Sequence, residues 1–83
     1  MTYDEMNEVV EAKKAVWSHL IGMKIRLYMD REGLKRADVA ERMGCSPQYV
    51  GRIINGQQNL SLFAIAEIEY RLGVKLIEID PYA

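Results

Sequence analysis

The sequence predicts an all-α fold, a bundle of four to five helices with a long N-terminal helix and a short C-terminal β-strand. Three observations carry this prediction. Apolar residues recur at three-and-four spacing through most of the chain, glycines interrupt that pattern, and serines stand just before two of the restarts. Only the β-branched, apolar segment 74–79 has the character of a strand.

The composition is that of a folded domain. The chain has 83 residues, of which 49% are hydrophobic and 28% charged, a balance that argues against disorder and predicts a single domain over residues 1–83. No apolar run approaches the roughly 18 residues that a membrane span needs, and the N-terminus is acidic. We therefore expect a cytoplasmic protein without a membrane partner.

The first element is an N-terminal helical extension, residues 1–30. Residues 4–29 contain no proline and one glycine, and their apolar positions follow helical spacing, which predicts one long amphipathic helix or two in series. Glu32-Gly33 ends the helix, since glycine is common just past a helix C-terminus. We expect Trp17 and Leu20, three residues apart, to be packing residues.

The next two helices are short and lie in a predicted core of residues 34–73. The first covers 35–43 and ends at Gly44. Ser46-Pro47 then starts the second, because serine accepts an amide hydrogen bond at the N-cap and proline fits the first helical position.

The last elements follow a turn at Asn55-Gly56 and a polar loop. Ser61 can cap a further helix, which Gly73 closes. Residues 74–80 are predicted as the C-terminal strand, with Asp80-Pro81 ending it.

The distribution of charge along the chain indicates a binding partner more clearly than the net charge does. The formal net charge is -1, whereas proteins that bind nucleic acid usually carry a basic surplus. Residues 24–56 nevertheless hold seven basic side chains against four acidic ones. The basic charge is thus concentrated in the segment that contains the two short helices.

Two short helices joined by a tight turn leave the first turn of the second helix protruding, in a shape that fits the major groove of DNA. At this point the chain resembles the phage-repressor and Cro-type (Xre-like) helix-turn-helix family. The residues that carry the resemblance are Val39-Ala40, Gly44-Cys45-Ser46, Val50 with Ile53, and Gly56, continuing to Leu62, Ile65, Ile68 and Leu72-Gly73.

The resemblance implies a sequence-specific DNA-binding transcriptional regulator, in the form of a repressor, from a prokaryote or phage. Its recognition helix would be residues 47–54. Two residues depart from the family pattern: Arg36 stands where glutamine is frequent, and Gly51 stands where a polar residue is usual. The first keeps a phosphate contact available, whereas the second removes one base contact and leaves room for a closer backbone approach.

Three residues are the predicted base readers: Gln48 and Tyr49 in the first turn of the recognition helix, and Arg52 one turn beyond Gln48. Glutamine pairs with adenine, arginine pairs with guanine, and a tyrosine can contact a thymine methyl group. Phosphate contacts, which fix register without reading sequence, are predicted for Lys35, Arg36, Ser46, Asn55, Gln57 and Gln58.

Structural alternatives exist for several of these residues. Gln48 and Arg52 could form a solvated helix face, and Tyr49 could pack against the following loop. Cys45 is expected to be a small buried side chain rather than a redox sensor. His19 is expected at the surface or edge of the long helix.

The sequence predicts that this protein is not an enzyme. It contains no paired carboxylates in a plausible cleft, no glycine-rich phosphate loop, and no serine or cysteine set with a histidine and an acid. One cysteine and one histidine do not make a zinc site, and we expect neither a metal nor a cofactor.

The predicted partners are double-stranded DNA and a second copy of the chain. A lone strand needs a partner for its backbone groups, and the apolar stripe of the long helix needs cover, so a homodimer is expected through one or the other. The alternative function is an antitoxin that binds a small toxin-like protein and regulates its own operon. A third possibility is a protein-interaction module without salt-sensitive DNA binding.

Overall fold

The computed structural model describes residues 1–79, and within them the fold consists of four α-helices. Their bounds are α1 Tyr3–Glu32, α2 Arg36–Met43, α3 Pro47–Ile54 and α4 Leu62–Leu72. α1 packs on α3, and α2 packs on both α3 and α4. The extension is thus one continuous helix of 30 residues, and the prediction of a fifth helix is wrong for the described residues.

Local chemistry explains most helix ends. The hydroxyls of Ser46 and Ser61 accept hydrogen bonds of 3.1 Å from the amides of Tyr49 and Ala64, as the sequence predicted. Thr2 and Glu5 form a reciprocal capping box at the start of α1. The first short helix begins one residue later than predicted, because the Lys35 backbone is the N-cap and donates to the Asp38 carboxylate at 2.8 Å.

The core lies where the C-terminal part of α1 meets the three shorter helices. Its most deeply buried side chains are Ile25, Val39 and Val50, one from each of the first three helices. In contrast, all residues of the segment 1–13 are exposed. α1 therefore has a packed C-terminal part and an N-terminal part that projects from the core.

The predicted C-terminal strand is not present: the described part of that segment, residues 74–79, contains no strand, and residue 80 lies outside the described residues. Side chains bond its backbone instead. The Glu69 carboxylate accepts hydrogen bonds from the amides of Leu76 and Ile77, at 2.7 and 3.1 Å, and Lys24 donates to the Leu76 carbonyl at 2.9 Å. The segment is therefore an irregular tail tied to α1 and α4.

Burial explains why this tail is apolar. The Leu76 side chain is only 2% exposed and belongs to the core, with Val74 and Ile77 packed beside it. The two amide hydrogen bonds hold the pKa of Glu69 below its ordinary value, because they favour the carboxylate form. A carboxylate on α4 thus replaces the neighbouring strand that the sequence seemed to require.

Trp17 and Leu20 were also predicted to be packing residues, but the rest of residues 1–79 leaves much of each side chain uncovered. Their side chains are 62% and 49% exposed. None of the helices described here is long and apolar enough to cross a membrane.

Candidate nucleic-acid interface

The turn between α2 and α3 presents the start of α3 at the surface. Gly44 follows α2 with a φ of 68°, a left-handed conformation that residues with a Cβ adopt at a cost. Ser46 and Pro47 then begin α3, and both are exposed. On the opposite side of α3, Val50 and Ile53 are almost fully buried against the core.

α3 is held at its C-terminal end by hydrogen bonds to all four of its last carbonyl groups. The amides of Asn55, Gly56 and Gln57 bond to Gly51, Ile53 and Arg52 respectively, at 2.8–3.1 Å. The remaining carbonyl, that of Ile54, accepts a hydrogen bond of 3.3 Å from Arg26 Nε. A guanidinium from α1 thus completes the cap and meets the negative end of the helix dipole.

The backbone of α1 also comes very close to this end of α3. A Cβ placed on Gly22 would lie 2.7 Å from the carbonyl oxygens of Ile53 and Ile54, so only glycine fits there. Gly56 has a φ of 71°, and a Cβ on it would lie 3.1 Å from Cα of His19. These two glycines fix the position of α3 relative to α1.

Two of the predicted base readers are in contact with each other. The Arg52 guanidinium carbon lies 5.5 Å from the centre of the Tyr49 ring, within the range of a cation–π interaction. Arg52 Nε also donates to the Gln58 side-chain oxygen at 3.1 Å. Arg52 is exposed and Tyr49 half-buried, so a charged group at the surface is held from two sides.

Gln48 and Tyr49 differ in their surroundings. Gln48 is exposed in the first turn of α3. Tyr49 packs with its inner edge against the core while Arg52 covers its ring. Tyr49 thus packs against the core and also lies beside the protruding face of α3.

Arg36, predicted to bind phosphate, lies across the middle of α3. A Cβ on Gly51 would lie 2.8 Å from Nη1 of Arg36 and 3.3 Å from its Cζ. The two departures from the family pattern are therefore one feature: the guanidinium of Arg36 occupies the space that a side chain at position 51 would take. The space is filled by this arginine rather than left open.

The other predicted phosphate contacts surround α3. Lys35 is exposed at the N-terminus of α2, Ser46 is exposed but uses its hydroxyl as the N-cap, and Gln57 is exposed after α3. The Asn55 side-chain oxygen accepts a 2.6 Å hydrogen bond from Arg26 Nη2, which turns its amide NH₂ toward other acceptors. Gln58 is engaged with Arg52 rather than free for a phosphate group.

Sequence reasoning missed Arg26. It is 29 residues from Asn55 in sequence, and its spacing on α1 gives no sign of a role at α3. The only signal was its place in the basic segment 24–56. In the fold it joins the cluster of basic and amide side chains at the C-terminal end of α3.

Cys45 is half-buried in the turn and packs against the core. Burial raises the pKa of its thiol, which the Arg71 guanidinium lowers to a smaller extent. The neutral thiol is therefore favoured, as expected for a small packing residue. His19 is exposed on α1, and no three metal-ligating side chains converge anywhere in residues 1–79.

A family model described as "Helix-turn-helix" matches residues 25–79. This chain belongs to the phage-repressor and Cro-type helix-turn-helix family. As a member, it is a DNA-binding transcription regulator in the general sense of that family. The match includes all of α2, α3 and α4 but leaves out residues 1–24, the greater part of α1. Comparison with curated proteins and with solved structures gave no match.

Proposed function

We propose that this helix-turn-helix protein is a sequence-specific repressor that binds DNA as a homodimer and reads the major groove with α3. The observation that carries the proposal is the exposed Arg52, held by the Tyr49 ring and the Gln58 amide on the protruding side of α3. A side chain held in one place loses less conformational entropy when it binds a base. Arginine in such a position pairs bidentately with guanine.

Gln48 and Tyr49 are the other proposed base readers, and the proposed phosphate contacts are those made by Lys35, Arg36, Ser46, Asn55 and Gln57. Gln58 acts in this proposal mainly by orienting Arg52. The domain proposed to do this extends over residues 1–83. Repression is the simplest regulatory outcome, because a protein that occupies an operator excludes polymerase without a further surface.

Selection of bound sequences from a random duplex library at near-physiological salt tests the proposal. The wild type is expected to enrich a palindromic site with half-sites about 34–36 Å apart or a multiple of that spacing. Arg52→Ala should relax the preference at one base pair of each half-site, at about 1–3 kcal/mol. Arg31→Ala, which removes the same charge from the end of α1, is the matched control and should leave the preference unchanged.

No enrichment by the wild type would refute sequence-specific binding. The antitoxin alternative makes a different prediction, a stoichiometric complex with a small basic protein encoded beside this one. Co-expression of the two reading frames followed by mass measurement of the purified complex tests that alternative.

A further inference from the structure

α1 has an apolar surface that the rest of the described chain leaves uncovered. Nine residues form it, and their side chains are 43–72% exposed. We call them the α1 stripe: Tyr3, Met6, Val9, Val10, Val16, Trp17, Leu20, Met23 and Leu27. Scattered apolar residues are normal at protein surfaces, but a contiguous exposed patch of this kind marks an interaction site.

The stripe has the spacing of a helix–helix seam. From Tyr3 to Leu27 its central positions alternate steps of three and four residues, with Lys13 and Lys24 as the two polar members of the series. This is the heptad pattern of a coiled coil. At about 100° per residue, the seam adjoins the face of α1 that packs on the core: Trp17 lies one turn before the buried Ile21, and Lys24 is bonded to the tail.

The N-terminal part of α1 lacks tertiary contacts within the described chain. All residues of the segment 1–13 are exposed, so tertiary packing does little to stabilise the first turns. The segment continues a packed helix and needs no new nucleus, but most helical stability in proteins comes from tertiary packing of an apolar face. A partner helix along the stripe would supply the missing contacts.

The charges on α1 identify a second copy of the same helix as that partner. Residues 1–11 contain four acidic side chains and no basic ones, whereas residues 12–29 contain four basic and no acidic ones. Two copies side by side in parallel would place like charges together. Two antiparallel copies would place each acidic segment beside the basic segment of the other helix.

The centre of the tail is less available than the α1 stripe for a dimer interface. Three backbone groups at its centre, the amides of Leu76 and Ile77 and the Leu76 carbonyl, are already bonded to Glu69 and Lys24. Pairing of a second tail with these groups would require breaking the bonds to Glu69 and Lys24. The α1 stripe is exposed and requires no such rearrangement.

We propose that α1 is a dimerisation arm, in which the stripe packs antiparallel against the stripe of a second copy. This rests on the proposed homodimer and specifies its surface and orientation. In an antiparallel coiled coil the a positions of one helix face the d positions of the other. This places Val10 opposite Leu20 of the second copy and Tyr3 opposite Leu27. Lys13 then faces the Trp17 ring, a favourable cation–π pairing.

The proposed arrangement has a two-fold axis near residue 15, perpendicular to the helix pair. The packed bodies of the two copies lie toward opposite ends of the pair, with the two Gly22 residues about 21 Å apart along it at 1.5 Å per residue. The two-fold symmetry relates the two recognition helices, as the symmetry of a palindromic site requires. The arm thus links the extension outside the family match to DNA recognition.

Cysteine cross-linking in the absence of DNA tests the orientation. In a Cys45→Ser background, the double variant Val10→Cys, Leu20→Cys should form a covalent dimer on mild oxidation. Neither single variant should do so, because equal positions of antiparallel helices lie about 15 Å apart here, beyond the span of a disulfide. Efficient cross-linking by either single variant alone would indicate parallel helices and overturn the proposal.

Sedimentation velocity tests the surface itself. Val10→Glu alters an exposed position in the projecting part of α1. The packed core should therefore be retained while the dimer dissociates to a monomer. Ala15→Glu introduces the same charge on another face of α1 and should remain dimeric. A monomeric wild type at high micromolar concentration, or a dimeric Val10→Glu variant, would overturn the proposed interface.

These outcomes are independent of DNA recognition. A dimer that enriches no DNA sequence would refute the proposed function and leave the α1 interface intact. A monomer that enriches a single half-site would refute the interface and leave recognition by α3 intact.

Discussion

The same substitution, glycine to alanine, should have opposite effects on stability at two positions in this fold. Gly22 and Gly51 both lie inside helices, and a Cβ at either would have a contact shorter than 3.0 Å. At Gly22 the contacts are backbone carbonyl oxygens of α3, at 2.7 Å. At Gly51 the nearest atom is the end of the flexible Arg36 side chain, at 2.8 Å.

For Gly22→Ala the clash should outweigh the gain in helix propensity. Bringing the new methyl group to an ordinary contact near 3.4 Å requires α1 and α3 to separate by about 0.7 Å, and overpacking of this kind costs about 1–3 kcal/mol. Alanine recovers about 1 kcal/mol over glycine in a helix. We expect a net loss of up to roughly 2 kcal/mol and a Tm lower by up to about 16 °C for a domain of this size.

Gly51→Ala should stabilise the fold, because Arg36 can swing into solvent. The free energy of unfolding should rise by about 0.5–1 kcal/mol, while the displaced guanidinium should weaken DNA binding at every sequence. Urea unfolding and thermal circular dichroism of both variants measure these changes. A Gly22→Ala protein as stable as the wild type would refute the reasoning, since it would show that the close α1–α3 approach is not required.

Two further predictions concern the contacts that join separate helices. Arg26→Ala should lower the free energy of unfolding, measured in urea, by about 1 kcal/mol. It should also weaken DNA binding, because Asn55 loses its orienting bond. Arg26→Lys should recover only part of the lost stability. Glu69→Gln should destabilise the attachment of the tail near neutral pH. Because the folded-state pKa of Glu69 is lowered, its contribution is present above the unfolded value near 4.5 and is lost as pH falls through the lower folded value. The Tm difference between wild type and Glu69→Gln should therefore shrink on acidification from pH 6 to 3, and a constant difference would contradict this assignment.

The short helices could be predicted from local sequence because their ends are determined by local chemistry. Ser46 and Ser61 cap helices through amides three residues away, and Gly44 ends α2 in a conformation that suits glycine. The spacing of buried residues such as Val39 and Val50 carried the resemblance to the family. None of these features needs a contact from elsewhere in the chain.

The candidate interface was predictable only in part. The exposed positions of Gln48 and Arg52 follow from the helical period once α3 is assigned. The pairing of Arg52 with Gln58 depends on the course of the following loop, and the bond from Arg26 to Asn55 depends on how α1 crosses α3. Arg36 and Gly51 looked like two separate exceptions until the packing of α2 on α3 brought them together.

The sequence by itself determined where α2 ends and where α3 and α4 begin and end, because capping and glycine conformations act over three or four residues. Only the tertiary structure decided that the apolar segment 74–79 is a tail bonded to Glu69 and Lys24 rather than a strand, and that the apolar residues of α1 divide between the core and an exposed stripe. The physical reason is that an apolar pattern records which residues avoid water. It does not record whether the surface that covers them lies in the same chain.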